Sequence, residues 1–248
     1  MEGCEIVKGV ILAGGTGTRL APLTKVLNKH LLPVGKVPMI HYAVSKLAGA
    51  GIKDIMIVIG KQSAGLFVDY LGSGNAWGAR LVYRIQEEAG GIAQGVALAE
   101  GFVTENEKMV VLLGDNLFED DLKPFTDRFE QMDRGAMVLL KEERELHRYG
   151  VPALADGNIL YIEEKPSEPK SNYCVTGIYM YDGGVFDIIR GIRPSARGEL
   201  EITDVNNVYA SQGLLRYGVL DGWWTDAGTF RSLREAAVRL ENTDPGVR

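Results

Sequence analysis

The chain has 248 residues, 46% hydrophobic and 24% charged, the composition of an ordinary globular protein with enough apolar material for one large core or two small ones. A formal net charge of −6 argues against nucleic acid or an anionic membrane as the main partner, and no apolar run approaches the roughly 20 residues that cross a bilayer. Glu2 and Glu5 interrupt any basic-then-apolar secretory pattern, and Cys4 and Cys174 lie far apart without metal-ligand spacing, so the expectation is a cytoplasmic protein with free thiols, acting on small molecules, with homo-oligomerisation left open.

In chain order, the β-branched run at residues 7–13 predicts a buried strand that stops at Gly14, Gly15 and Gly17, with Thr16 and Thr18 between and after them. Such a loop exposes backbone N–H groups and two hydroxyls; Arg19 adds a planar fork and Lys29 a point charge, together suited to a polyphosphate. The pattern is neither a dinucleotide fingerprint nor a Walker loop: Leu20 stands where the first needs glycine, and Arg19-Leu20 where the second needs Gly-Lys. A tight turn without a ligand is the plainer alternative. An amphipathic helix is then expected at residues 39–50, a strand at 54–59, a short helix at 65–71, a strand at 80–85, a helix at 92–102 and a strand at 109–113. This alternation predicts right-handed crossovers in a doubly wound, mostly parallel α/β sheet, whose ligands collect at the carboxyl ends of the strands. Residues 14–19, residues 86–91 and Asp115-Asn116 all leave strands at that end and are expected to share one pocket.

No element is assigned to residues 121–148. Beyond them a hairpin is expected (strands 151–154 and 159–163 about Asp156-Gly157-Asn158), then a strand at 175–181, helices at 184–192 and 201–212, a strand at 216–220 and a final amphipathic helix at 229–240. This second half extends the sheet, so that the strand directions are mixed. Asp115 and Asp226 both follow strands, and as a pair they could hold Mg²⁺ together with phosphate oxygens, whereas alone each reads as a turn residue or helix cap. Glu163, Glu164 and Lys165 precede Pro166, which ends a central ladder; strict alternation puts Glu163 and Lys165 on one face and Glu164 on the other. A carboxylate and an ammonium there suit a sugar phosphate, or else form a solvated charge cluster. His30, His41 and His147 share no metal spacing, and Trp223 and Trp224 read as packing residues.

These residues carry a resemblance. Leu12-Ala13-Gly14-Gly15-Thr16-Gly17-Thr18-Arg19-Leu20, Lys29-His30-Leu31-Leu32-Pro33-Val34, Leu113-Gly114-Asp115-Asn116, Glu163-Glu164-Lys165-Pro166, Arg197-Gly198-Glu199-Leu200-Glu201-Ile202-Thr203-Asp204 and Trp224-Thr225-Asp226-Ala227-Gly228-Thr229 occur in the order found in the sugar nucleotidyltransferases, and the chain resembles most closely the thymidylyltransferase branch. The resemblance implies a single Rossmann-like domain over residues 1–248, with a nucleotide-binding half at about 7–120 and a sugar-phosphate-binding half at about 121–240. It assigns the nucleotide to Gly14, Gly15, Thr16, Gly17, Thr18, Arg19, Lys29, Gln86, Gly91 and Asp115, with Arg19 and Lys29 as the catalytic cations. It assigns the sugar phosphate to Asn116, Gly150, Glu164, Lys165 and Val175, and Mg²⁺ to Asp115 and Asp226. The implied reaction joins a nucleoside triphosphate to a hexose 1-phosphate and releases pyrophosphate. The alternatives are another base or sugar, as in a uridylyltransferase, a non-catalytic nucleotide-sugar sensor, or an NAD-binding oxidoreductase, which the failed fingerprint disfavours. Ala89-Gly90 replaces a proline and an aspartate usual in the branch, and Val37 a lysine, which implies a looser base-reading loop. Compared with the long form of the family, the chain reads as a short form without its regulatory helices.

Overall fold

The computed structural model describes residues 7–241; Cys4, Glu2 and Glu5 lie outside the described residues. In chain order the elements are β1 (Val7–Ala13), β2 (Pro33–Val34), β3 (Val37–Pro38), α1 (Met39–Gly49), β4 (Asp54–Gly60), α2 (Ala64–Leu71), β5 (Arg80–Gln86), α3 (Ile92–Ala97), β6 (Lys108–Leu113), β7 (Asn116–Phe118), α4 (Lys123–Glu130), β8 (Ala136–Glu142), β9 (Gly150–Ala155), β10 (Asn158–Glu164), β11 (Tyr173–Asp182), α5 (Val185–Gly191), α6 (Ile202–Ser211), β12 (Leu215–Val219), β13 (Trp224–Asp226) and α7 (Phe230–Leu240). They form two compact units that interleave along the chain.

The first unit in sequence comprises Lys8–Ala89, Leu112–Lys123 and the chain from Gly222 onward. Its strand order is β1-β4-β5, with β1 parallel to β4 and β4 parallel to β5. Ile55, Met56, Ile57, Val58 and Ile59 of β4 are all buried, as a parallel strand covered on both faces must be. Helix α1 buries Met39, Ile40, Ala43, Val44 and Leu47, a stripe at helical spacing. It comes so close to β1 that a Cβ on Gly9 would stand 2.7 Å from Leu47 Cδ1. Helix α7 starts at a capping box between Thr229 and Ser232 and packs Ala236 and Leu240 with Leu117, Ala227 and Met39. The antiparallel ribbon β7–β13 pairs Asn116 with Asp226 and Phe118 with Trp224.

The other unit comprises Gly90–Val111 and Pro124–Asp221. Here the order is β12-β8-β11-β6, with β12 parallel and β11 antiparallel to β8, so the mostly parallel but mixed sheet is present as expected. The hairpin β9–β10 is present too, with a register shift between Ile159 and Tyr161. Tyr181 is fully buried, donates to Asn206 Oδ1 at 2.6 Å and stacks on Tyr209, which tethers α6 to β11.

Two elements fill residues 121–148, where none was expected. Strand β8 is a buried run from Ala136 to Leu140 that flanking charges obscure, and α4 is too polar for its two buried positions, Thr126 and Phe129, to stand out. The helix expected at 92–102 ends at Ala97, because the chain tightens into i+3 hydrogen bonds at Ala99 and Glu100 and Gly101 takes φ +84°.

Candidate active site

The glycine loop leaves β1 and runs into three separate 3₁₀ turns, at Thr18–Leu20, Leu23–Lys25 and Lys29–Leu31, rather than into an α-helix. Its anion-binding capacity therefore rests on exposed loop amides and two cations, without a helix dipole. Gly15, Thr16, Thr18 and Arg19 are exposed. Gly17 takes φ +66°, and its carbonyl accepts a hydrogen bond from Thr24 Oγ1 at 2.9 Å, which fixes the bend. Gly14 makes room for β5: a Cβ there would lie 2.3 Å from Gln86 Oε1, so the last side chain of that strand rests against the loop.

The loop between β6 and β7 brings up Asp115, which is 7% exposed. Lys29 Nζ approaches its Oδ2 at 2.5 Å, and Asn116 Nδ2 donates to its Oδ1 at 3.2 Å. Burial pushes the Asp115 carboxyl up, but the Lys29 ammonium, His30 and these two hydrogen bonds outweigh it and hold the group below the usual carboxylate range. His30, also buried, is pushed down to about 3 by burial and by Lys29, so it stays neutral at physiological pH. This histidine is packed: Asn28 Oδ1 accepts from its backbone N–H and lies 2.9 Å from its Nδ1, and Gly114 leaves room for the ring.

Asp226 closes β13. The β7–β13 register sets it opposite Asn116, the neighbour of Asp115, and the Ala227 N–H donates to the Asp115 carbonyl at 2.8 Å. Arg19 Nη2 lies 3.8 Å from Asp226 Oδ2 and passes over Gly228, where a Cβ would stand 2.8 Å from that nitrogen. Residues far apart in sequence thus converge in one unit: the loop, Arg19, Lys29, Gln86, Asp115 and Asp226. Among the described residues no three or more His, Cys, Asp or Glu side chains form a cation cage. Two adjacent carboxylates, each paired with a cationic side chain, instead suit a hard divalent ion that takes its remaining ligands from phosphate and water.

In the other unit, Gly150 pairs with Glu164 across β9–β10. Lys165 takes φ +49°, so its Nζ turns back to 3.2 Å from Glu164 Oε1, and Thr203 Oγ1 of α6 donates to Glu164 Oε2 at 2.8 Å. The expected separation of Glu164 and Lys165 onto opposite faces therefore fails, because a left-handed residue ends the extended alternation. A Cβ on Gly150 would meet Glu164 Oε2 at 3.4 Å and Thr203 Oγ1 at 3.6 Å, which places that glycine at the same cluster. Val175 is a buried residue of β11, followed by a register shift before Tyr179. Gly91 takes φ +100° with no room for a Cβ, which would stand 2.5 Å from the Leu200 carbonyl oxygen. Gly90 donates to Gln94 Oε1 at 2.9 Å and accepts from the Leu200 N–H at 2.8 Å. Thr203 was missed as a site residue; its signal was the Glu201-Ile202-Thr203-Asp204 run, legible as a motif without a role.

Residues 8–243 match the profile of the family described as nucleotidyl transferase. The chain belongs to that family. It is 43% identical to a glucose-1-phosphate thymidylyltransferase of Xanthomonas campestris pv. campestris (strain B100) over 94% of this chain and 80% of that one. To the enzyme of the same name from Mycobacterium tuberculosis (strain ATCC 25618 / H37Rv) it is 42% identical over 93% and 81%. A Bacillus anthracis structure attributed to glucose-1-phosphate thymidylyltransferase, in complex with sucrose, superposes with a TM-score of 0.92 at 53% identity, covering 96% of each chain. A UDP-glucose pyrophosphorylase complexed with UDP-glucose gives 0.85 at 26% identity, covering 96% of this chain and 100% of that one. The protein is thus a nucleotidyltransferase by descent as well as by fold. Among the described residues no helix is long and apolar enough to cross a membrane.

Proposed function

We propose that the protein transfers a nucleoside monophosphate from a nucleoside triphosphate to a hexose 1-phosphate, with deoxythymidine triphosphate and glucose 1-phosphate as the substrates, giving dTDP-glucose and pyrophosphate. The observation that carries the reading is the pairing of Lys29 with Asp115 and of Arg19 with Asp226 beside a glycine loop: two cations and two carboxylates held where a triphosphate and a divalent ion would sit. The names of the curated relatives support the choice of base and sugar.

A phosphate oxygen of the sugar phosphate attacks the α-phosphorus of the triphosphate, forming the new P–O bond as the bond to the β-phosphate oxygen breaks and pyrophosphate departs. No protein nucleophile is needed, so catalysis is positioning and charge neutralisation. Lys29, whose ammonium sits on Asp115 in the structure, neutralises charge at the α-phosphate, and Arg19 holds the β- and γ-phosphates. Gln86, lying against Gly14, reads the base. Glu164 accepts hydrogen bonds from sugar hydroxyls with Thr203 fixing its second oxygen, and Lys165 binds the phosphate of the nucleophile. Mg²⁺, held by Asp115 and Asp226, would supply Lewis-acid neutralisation of the phosphate oxygens.

The test is pyrophosphate release with each common ribo- and deoxyribonucleoside triphosphate against a panel of hexose 1-phosphates. Highest kcat/KM for deoxythymidine triphosphate with glucose 1-phosphate is expected. Preference for uridine triphosphate would move the protein to the chemistry named for the UDP-glucose neighbour, and no release with any pair would refute the enzymatic reading.

A further inference from the structure

We propose that Trp224 is a positioning residue for Asp115, acting through Asn116; this rests on the assignment of Asp115 to a divalent cation. Trp224 belongs to β13 and is 8% exposed, and Asn116 opens β7 and is 4% exposed. The indole Nε1–H donates to Asn116 Oδ1 at 2.7 Å, and Asn116 Nδ2 donates onward to Asp115 Oδ1 at 3.2 Å.

The chemistry of the three groups makes the chain directional. An indole nitrogen can only donate, an ionised carboxylate can only accept, and an asparagine amide has one end of each kind. With Trp224 on one side and Asp115 on the other, a single amide orientation satisfies both. Turning the amide over would set two donors against each other at Trp224 and two acceptors against each other at Asp115, and burial makes such mismatches costly.

The consequence falls on the carboxylate. Its Oδ2 is held by Lys29, a flexible side chain that can leave for a phosphate, while its Oδ1 is held by an amide that Trp224 locks in place. Trp224 acts on Asp115 through Asn116 and so fixes the plane in which Asp115 presents its oxygens. Outer partners of this kind tune cation affinity by about 10- to 100-fold. Trp224→Phe keeps an aromatic ring in this position and removes the N–H.

The test uses the full chain and Mn²⁺ as the probe, with free Mn²⁺ measured by electron paramagnetic resonance in the presence of a non-hydrolysable deoxythymidine triphosphate analogue. Trp224→Phe, Asn116→Ala and the double variant are compared with the parent, and thermal unfolding is recorded for each. About tenfold weaker Mn²⁺ binding is expected for each single variant, with the double variant no weaker than the weaker single one, because both act on one path. Parent-like affinity in folded Trp224→Phe overturns the proposal, and so do losses that multiply in the double variant. If Trp224→Phe does not fold, Asn116→Ala carries the test alone, and parent-like affinity there overturns it equally. Failure of the parent itself to bind Mn²⁺ with nucleotide would instead remove the cation site from the proposed function and this inference with it.

Discussion

His30 gives the sharpest quantitative test of the site's electrostatics. The imidazole is 2% exposed beside Lys29, and burial together with that ammonium lowers its pKa from 6.5 to about 3. The unfolded chain takes up a proton on His30 as the pH falls through 6.5, whereas the folded protein does not until about 3. Stability linked to His30 is therefore fully present above pH 6.5 and is lost as the pH falls from there toward 3. At pH 5 the loss is about 1.5 pH units at about 1.36 kcal/mol each, or roughly 2 kcal/mol. Urea unfolding of the metal-free protein near pH 7.5 and near pH 5, for the parent and for His30→Gln, isolates this quantity, since each protein is compared with itself. The parent should lose roughly 2 kcal/mol more than the variant between the two conditions. Equal losses, or a His30 imidazole that titrates near 6.5 by NMR, would refute the claim that this histidine is held neutral by burial.

Asp115→Asn should lower kcat by at least about 100-fold and weaken the response to Mg²⁺, because a neutral amide is a poor ligand for a hard cation; a Mg²⁺ titration of pyrophosphate release that matches the parent would take Asp115 out of the site. Lys165→Ala should raise KM for the hexose phosphate more than KM for the nucleotide, and Arg19→Ala should do the reverse or mainly lower kcat, since the two cations serve different substrates. Equal effects on both substrates, read from two-substrate steady-state kinetics, would contradict that division. Gly14→Ala should displace the Gln86 side chain, whose Oε1 lies 2.3 Å from where the new Cβ must go. About tenfold or greater loss of kcat/KM for the nucleotide is expected with little loss for the hexose phosphate, and unchanged nucleotide affinity by calorimetry would show that Gln86 does not read the base.

The sequence alone determined a good deal of this protein, and for local reasons. Apolar runs ending at glycines placed β1 and β4 to within a residue, because a strand buried on both faces has to be continuously apolar and its exit loop needs residues tolerant of close approach. The spacing of Met39, Ile40, Ala43, Val44 and Leu47 marked α1 for the same kind of reason. The glycine loop after β1 was legible too, since glycines, threonines and an arginine stand at adjacent positions. What lies between distant residues was not legible. Strand β8 and α4 were hidden because charge masked the one and polarity the other. No spacing rule could show that Asp226 faces Asn116, that Lys29 seats on Asp115, or that Lys165 turns back onto Glu164 through a left-handed backbone. Trp224, read from sequence as a packing residue, turned out to donate its N–H to Asn116. Such pairings depend on strand register and on a low-dielectric interior that holds a buried histidine neutral and a buried aspartate charged, and both arise only when the chain closes on itself.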